Sequence, residues 1–139
     1  MKLRLADIAH ARSGDKADRA DIGLFAWDEE GYEALLALVT PQRVADHFAH
    51  LMGSNDPARV ECYPLPRILA IKWVLNGALS GGAAHSLRSD NLGKTIAAQL
   101  LRMEIELADA QATAILVGAR NGIDSLRDAN PSHSETAPP

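Results

Sequence analysis

The segment Ile22-Gly23-Leu24-Phe25-Ala26-Trp27 places apolar side chains on both faces of a strand. Successive strand residues point to opposite sides, so Ile22, Leu24 and Ala26 form one set and Gly23, Phe25 and Trp27 the other. A strand of this kind needs cover on both sides. Ile68 to Leu75 makes the same demand. Leu69, Ile71, Trp73 and Leu75 line one face, and Ile68, Ala70, Lys72 and Val74 line the other.

Only one layer of cover is legible. Asp28 followed by Glu29-Glu30 suits a helix start, because negative charge favours the positive end of the helix dipole. Tyr32, Leu35, Leu36 and Val39 give that helix its apolar stripe. Thr40 caps a second helix, with Pro41 at its first position, where a missing N–H costs nothing. Val44, Phe48 and Leu51 recur on one face of it, and Gly53-Ser54-Asn55-Asp56-Pro57 ends it in a turn. Ser89 or Asp90 caps a third helix with a stripe at Leu92, Ile96, Leu100, Met103 and Leu107.

Leu3-Arg4-Leu5 and Ile8-Ala9-His10 read as an N-terminal strand, bulged near Ala6-Asp7 where the apolar parity changes. Ala11 to Arg19 reads as a polar loop. Val60 to Tyr63 is a short strand stopped at Pro64-Leu65-Pro66. Residues 108–120 fit either a helix or a short strand, and the chain from Asn121 onward is polar enough to expect loose structure. The expected division is therefore a domain over residues 1–107 and a partly disordered extension over 108–139.

Hairpin-linked strands with helices grouped on one side define an α+β fold, mainly antiparallel. One helical layer cannot bury both apolar sets. A partner on the second face is expected, either another copy of the chain or a larger protein.

At 139 residues the chain fits one domain. Its net charge of −4 supplies no electrostatic footprint for nucleic acid. The single cysteine, Cys62, forms no internal disulfide, and Met1 to Asp7 meets charge before any leader-like apolar run. Both features point to the cytoplasm. No apolar stretch is long enough to span a bilayer.

Three stretches, in order, resemble one known family. Arg12-Ser13-Gly14-Asp15-Lys16-Ala17-Asp18 leads into Asp21-Ile22-Gly23. Tyr63-Pro64-Leu65-Pro66-Arg67 leads into Ala70-Ile71-Lys72-Trp73-Val74-Leu75-Asn76-Gly77-Ala78-Leu79-Ser80-Gly81-Gly82. Ser86-Leu87-Arg88-Ser89-Asp90 is followed by Gly93-Lys94 and then Leu100-Leu101-Arg102-Met103-Glu104-Ile105. The pattern is similar to the small C-terminal domain of the AtuA-like (acyclic terpene utilisation) family. The chain departs from it at Ala17 (the family favours Gly), Asp21 (Asn), Lys72 (Asn) and Asn76 (Pro). The resemblance implies a ferredoxin-like two-layer sandwich, found beside or fused to a larger AtuA-type protein. It implies a setting of acyclic terpenoid or branched-acid breakdown through CoA thioesters. "Ferredoxin-like" names topology only: one cysteine makes no iron–sulfur site, and no cofactor is expected.

Two candidate ligand-binding segments follow. One is Ser13, Gly14, Asp15 and Lys16 with Asp18, where a carboxylate and an ammonium sit side by side; the bland alternative is a solvated turn in which Lys16 neutralises Asp15. The other is Gly81-Gly82 with Ser86 and Arg88. Glycine-loop N–H groups cradle anions, and Arg88 adds a bidentate contact to a phosphate or carboxylate such as those of an acyl-CoA. The alternative there is a tight turn with Arg88 paired to Asp90. Asp15, Lys16 and His85 are the catalytic candidates, and His10 also borders a candidate loop. His47 and His50 sit three apart on a helix, but no third ligand is named, so no metal is expected. Cys62 reads as a small core residue, and Lys72 as an edge lysine or one paired to a carboxylate.

Overall fold

Leu5 and Ile8 lie three residues apart, and both are fully buried. That spacing belongs to a helical turn. In the computed structural model, which describes residues 1–79, 81–82 and 93–130, the chain starts with β1 (Lys2–Arg4), makes the single turn α1 (Leu5–Ile8), and continues into β2 (Ala9–Lys16). The parity change expected to mark a bulge is therefore a turn of helix.

The segment expected to be a polar loop is also different. β2 runs to Lys16 and pairs antiparallel with β3 (Arg19–Ala26), from Ala9↔Ala26 to Lys16↔Arg19. Ladder hydrogen bonds, not apolar content, hold its second half in place. The connection is the two-residue turn Ala17-Asp18.

Asp28 and Thr40 behave as their sequence predicts. Asp28 Oδ1 accepts from the Gly31 N–H at 2.8 Å to start α2 (Glu29–Leu38), and Thr40 Oγ1 accepts from Arg43 N–H at 3.2 Å to start α3 (Pro41–His47). The turn α4 (Ala49–Met52) follows and ends at Gly53, whose φ of 65° is the left-handed cap that glycine adopts without cost. β4 (Val60–Leu65) and β5 (Ala70–Asn76) form a second hairpin through Pro66–Ile68.

β5 pairs with β3 as well as β4. The sheet order is β2-β3-β5-β4, antiparallel throughout. α5 (Ile96–Leu100) is short, and the expected stripe does not continue as helix. Met103, Ile105 and Leu107 are buried at a period of two, and β6 (Glu104–Glu106) pairs with β1. The helical and strand spacings share Met103 and Leu107, and the free edge of β1 chose between them.

The ambiguous segment is helical: α6 spans Asp109–Asp128, past Asn121 where loose structure was expected. Ala112, Ile115 and Ala119 bury its stripe. Gly118 and Gly122 decide how closely it docks. A β-carbon at 118 would overlap Asp28 Oδ2, and one at 122 would strike the Trp27 ring. Two bare turns let α6 lie against the start of α2.

The result is an α+β fold with one covered sheet face. Ala20, Ile22, Leu24, Ile71, Trp73 and Leu75 lie against the helical layer, which contributes Leu35, Val44, Phe48, Ile96 and Leu100. On the other face Phe25 and Val74 are only partly buried, and Tyr63 and Leu65 are exposed. Tyr63 and Leu65 remain 46% and 41% exposed, and Ile68 beside them 60%. Among the described residues no helix is long and apolar enough to cross a membrane.

Candidate functional site

The two segments singled out in the sequence meet. Ser13 projects from β2 toward the covered side, opposite Ile22. Its hydroxyl donates to the Gly93 carbonyl at 2.7 Å and accepts from the Ala97 N–H at 2.9 Å. At the hairpin turn, Asp18 Oδ1 accepts from the Gly81 N–H at 2.6 Å. Gly82 and Gly93 take φ of 101° and 66° and lie so close that β-carbons there would stand 3.3 Å from the Ala17 carbonyl and 3.0 Å from the Gly14 carbonyl. The hairpin is thus fastened to Gly81-Gly82 at its turn and to Gly93 within β2. His85, Ser86, Arg88 and Asp90 lie outside the described residues.

Asp15 and Lys16 do not neutralise each other. As neighbours on a strand they point to opposite faces, and no ion pair joins them. Asp15 sits opposite Ala20 on the covered side, while Lys16 sits opposite Arg19 on the open side. His10 is not at the junction. It lies at the far end of β2, opposite Phe25, and stacks on Phe25 at 5.1 Å and Trp27 at 4.6 Å between ring centroids. Burial against them pushes its imidazole below the usual histidine range.

His47 meets the Gln99 carbonyl at 2.7 Å. Among the described residues, no three His, Cys, Asp or Glu side chains gather closely enough to hold a metal ion. Cys62 faces the covered side opposite Trp73, and burial pushes its thiol up, away from the reactive thiolate. Lys72 lies on an interior strand, not an edge, with its ammonium 4.0 Å from Asp21.

Sequence reasoning expected a partner on the open face but named no cleft or residues there. A cleft of about 500 Å³ runs across it, with Lys16, Arg19, Asp21, Glu61 and Lys72 around its rim. Tyr63, Leu65 and Val74 complete it. The Tyr63 hydroxyl donates to Glu61, and Asn76 Nδ2 donates to the other carboxylate oxygen at 3.0 Å. The Tyr63 hydroxyl, then the Asn76 amide, hold the Glu61 carboxyl below its usual range; Arg19 adds a smaller pull. The same bond to Glu61 raises the Tyr63 phenol. The signal was present as alternation in Arg12-Ser13-Gly14-Asp15-Lys16, which is visible only once that segment is recognised as strand.

An antiparallel sheet covered by helices on one side, with a hairpin tied to a glycine-rich segment, defines the class as a ferredoxin-like α+β domain. The family model described as "AtuA ferredoxin-like domain" matches residues 3–106, and the chain belongs to that family. No curated protein and no solved structure matches the chain.

The four departures from the family pattern gather around this site. Ala17 takes φ of 55° at the hairpin turn. Asp21 and Lys72 form an ion pair at 4.0 Å. Asn76 donates to the Arg59 carbonyl at 3.2 Å and to Glu61, bonds a proline could not make.

Proposed function

We propose that the protein is an accessory or assembly subunit in CoA-linked catabolism of acyclic terpenoid or branched acids, joining copies of itself or a larger AtuA-type protein. In this role residues 1–107 are the family domain and 108–139 an extension. The uncovered sheet face carries the proposal: Phe25, Tyr63, Leu65, Ile68 and Val74 leave apolar surface to water on that side.

The test is co-expression with an AtuA-type large protein, followed by sedimentation velocity. Co-migration or self-association is expected, and Tyr63→Ser with Ile68→Ser should abolish it while circular dichroism stays unchanged. A monomer at micromolar concentration that ignores the large protein sinks the proposal.

The contact between hairpin and glycine segment favours a second role, a stand-alone lyase or hydratase acting on a branched acyl-CoA. Arg88 would hold an anion, and Asp15, Lys16 or His85 would move protons. Turnover of branched acyl-CoA thioesters by the isolated chain, lost in Arg88→Ala, would support it. Turnover indifferent to Arg88 and His85 would remove it.

A further inference from the structure

The geometry points to a binding site for an amphiphilic anion, a carboxylate or phosphate head on an apolar body, in the cleft on the open sheet face. This site shares the β2–β3 hairpin with the hairpin–glycine junction but lies on the open face, and it does not depend on assembly.

Lys16 and Arg19 are direct partners across the β2–β3 hairpin, flanking its two-residue turn. Like charges in that position destabilise a hairpin. Among the described residues neither belongs to an ion pair, and nor does Arg12 on the same face. Arg12 and Lys72 stand on either side of Gly23 in one row across the sheet, and the Phe25 ring lies over that glycine between them.

The two carboxylates of the cleft offset only part of this charge: Asp21 lies 4.0 Å from Lys72, and Glu61, which accepts from the Tyr63 hydroxyl and the Asn76 amide, also attracts Arg19. Among the described residues of the strands, this face carries Arg12, Lys16, Arg19 and Lys72 against Asp21 and Glu61, in a molecule of net charge −4. The cationic excess is local.

The rest of the surface is apolar. Val74 and Leu65 line the cleft, and a neighbouring hollow of about 150 Å³, lined also by Phe25 and Ile68, shares Asp21, Leu65 and Lys72 with it. From Arg19 to Phe25 the strand advances roughly 20 Å, at about 3.4 Å per residue. A head group bound by Lys16 and Arg19 thus leaves its apolar body lying along Val74 and Leu65 toward Phe25. A charged end and a greasy end in one groove select a ligand with both.

The test is an NMR titration of the ¹⁵N-labelled full chain with decanoate and with decyl phosphate, both below micelle formation, and with decanol and inorganic phosphate in parallel. Saturable shifts at Arg19, Tyr63 and Val74 are expected with the two amphiphiles, and the tighter of them identifies the head. Lys16→Ala with Arg19→Ala should weaken binding on the order of tenfold, whereas Lys16→Arg retains it. Arg19→Gln alone serves if the double variant does not fold. Decanol binding as tightly as decanoate, inorganic phosphate matching the amphiphiles, or a folded charge variant with unchanged affinity would each overturn the site. Shifts on this face that appear only with a large partner, and never with the probes, would overturn it too while leaving the assembly role standing.

Discussion

The two faces of the four-stranded sheet are built from the same strands and have different fates. On the covered face Ile22, Leu24, Ile71, Trp73 and Leu75 are fully buried. On the open face the same strands present Asp21, Gly23, Phe25, Lys72 and Val74, none of them fully buried. One face holds the molecule together. The other is a mixture of rings, aliphatic carbons and charges, a composition suited to contact with something outside the chain. The difference lies less in hydrophobicity than in pairing: apolar groups on the first face meet a helix, whereas on the second they stand beside lysine and arginine.

Paired substitutions should break the symmetry between the faces. Trp73→Ala removes a ring from the core and should cost roughly 3–5 kcal/mol, while Tyr63→Ala on the open face should stay within about 0.5 kcal/mol. Urea unfolding of the two variants measures the contrast, and equal losses would erase it. Gly118→Ala tests the outer helix on the covered side. Its new methyl group meets Asp28, the cap of α2, and should cost about 1–3 kcal/mol, with faster hydrogen exchange in α6.

Ser13→Ala asks how much one polar contact adds on the covered face. It strips the Gly93 carbonyl and the Ala97 N–H of their partner and should cost about 1–2 kcal/mol, read as a lower thermal midpoint. The smallest effect should be a gain. Ala17→Gly relieves a left-handed alanine and should stabilise by about 0.5–1 kcal/mol without touching either face. A loss of stability there would mean that the hairpin turn is not strained.

Features with local causes were legible. Asp28 and Thr40-Pro41 start helices because capping needs only neighbours along the chain. The alternation around Trp73 placed its strand correctly, since that strand lies between two others and its core-facing set is unbroken. Features decided by partners were not legible. Arg12 to Lys16 looks like a loop until β3 lies beside it. Met103 to Leu107 fits helix or strand until β1 offers an edge. Gly118 and Gly122 weaken a helix on paper, and only the closeness of Asp28 and Trp27 shows their use. Of the residues named from the sequence, Asp18 and Gly81 are joined by a hydrogen bond while Ser13 bonds Gly93 and Ala97 instead, and Arg19, Asp21, Glu61 and Tyr63 went unnamed as site residues because their shared face depends on register.

The sequence by itself determined that the chain builds an α+β layer fold, that its strands carry more apolar surface than one helical layer covers, and where two of its helices begin. These follow from periodicity and capping, which are local. The tertiary structure alone decided which residues share the open face, that Lys16 stands across from Arg19, and that a hairpin turn is fastened to a glycine-rich segment some sixty residues away. Those facts rest on strand register and long-range hydrogen bonds, and a contact between distant residues leaves no mark on the neighbours of either one.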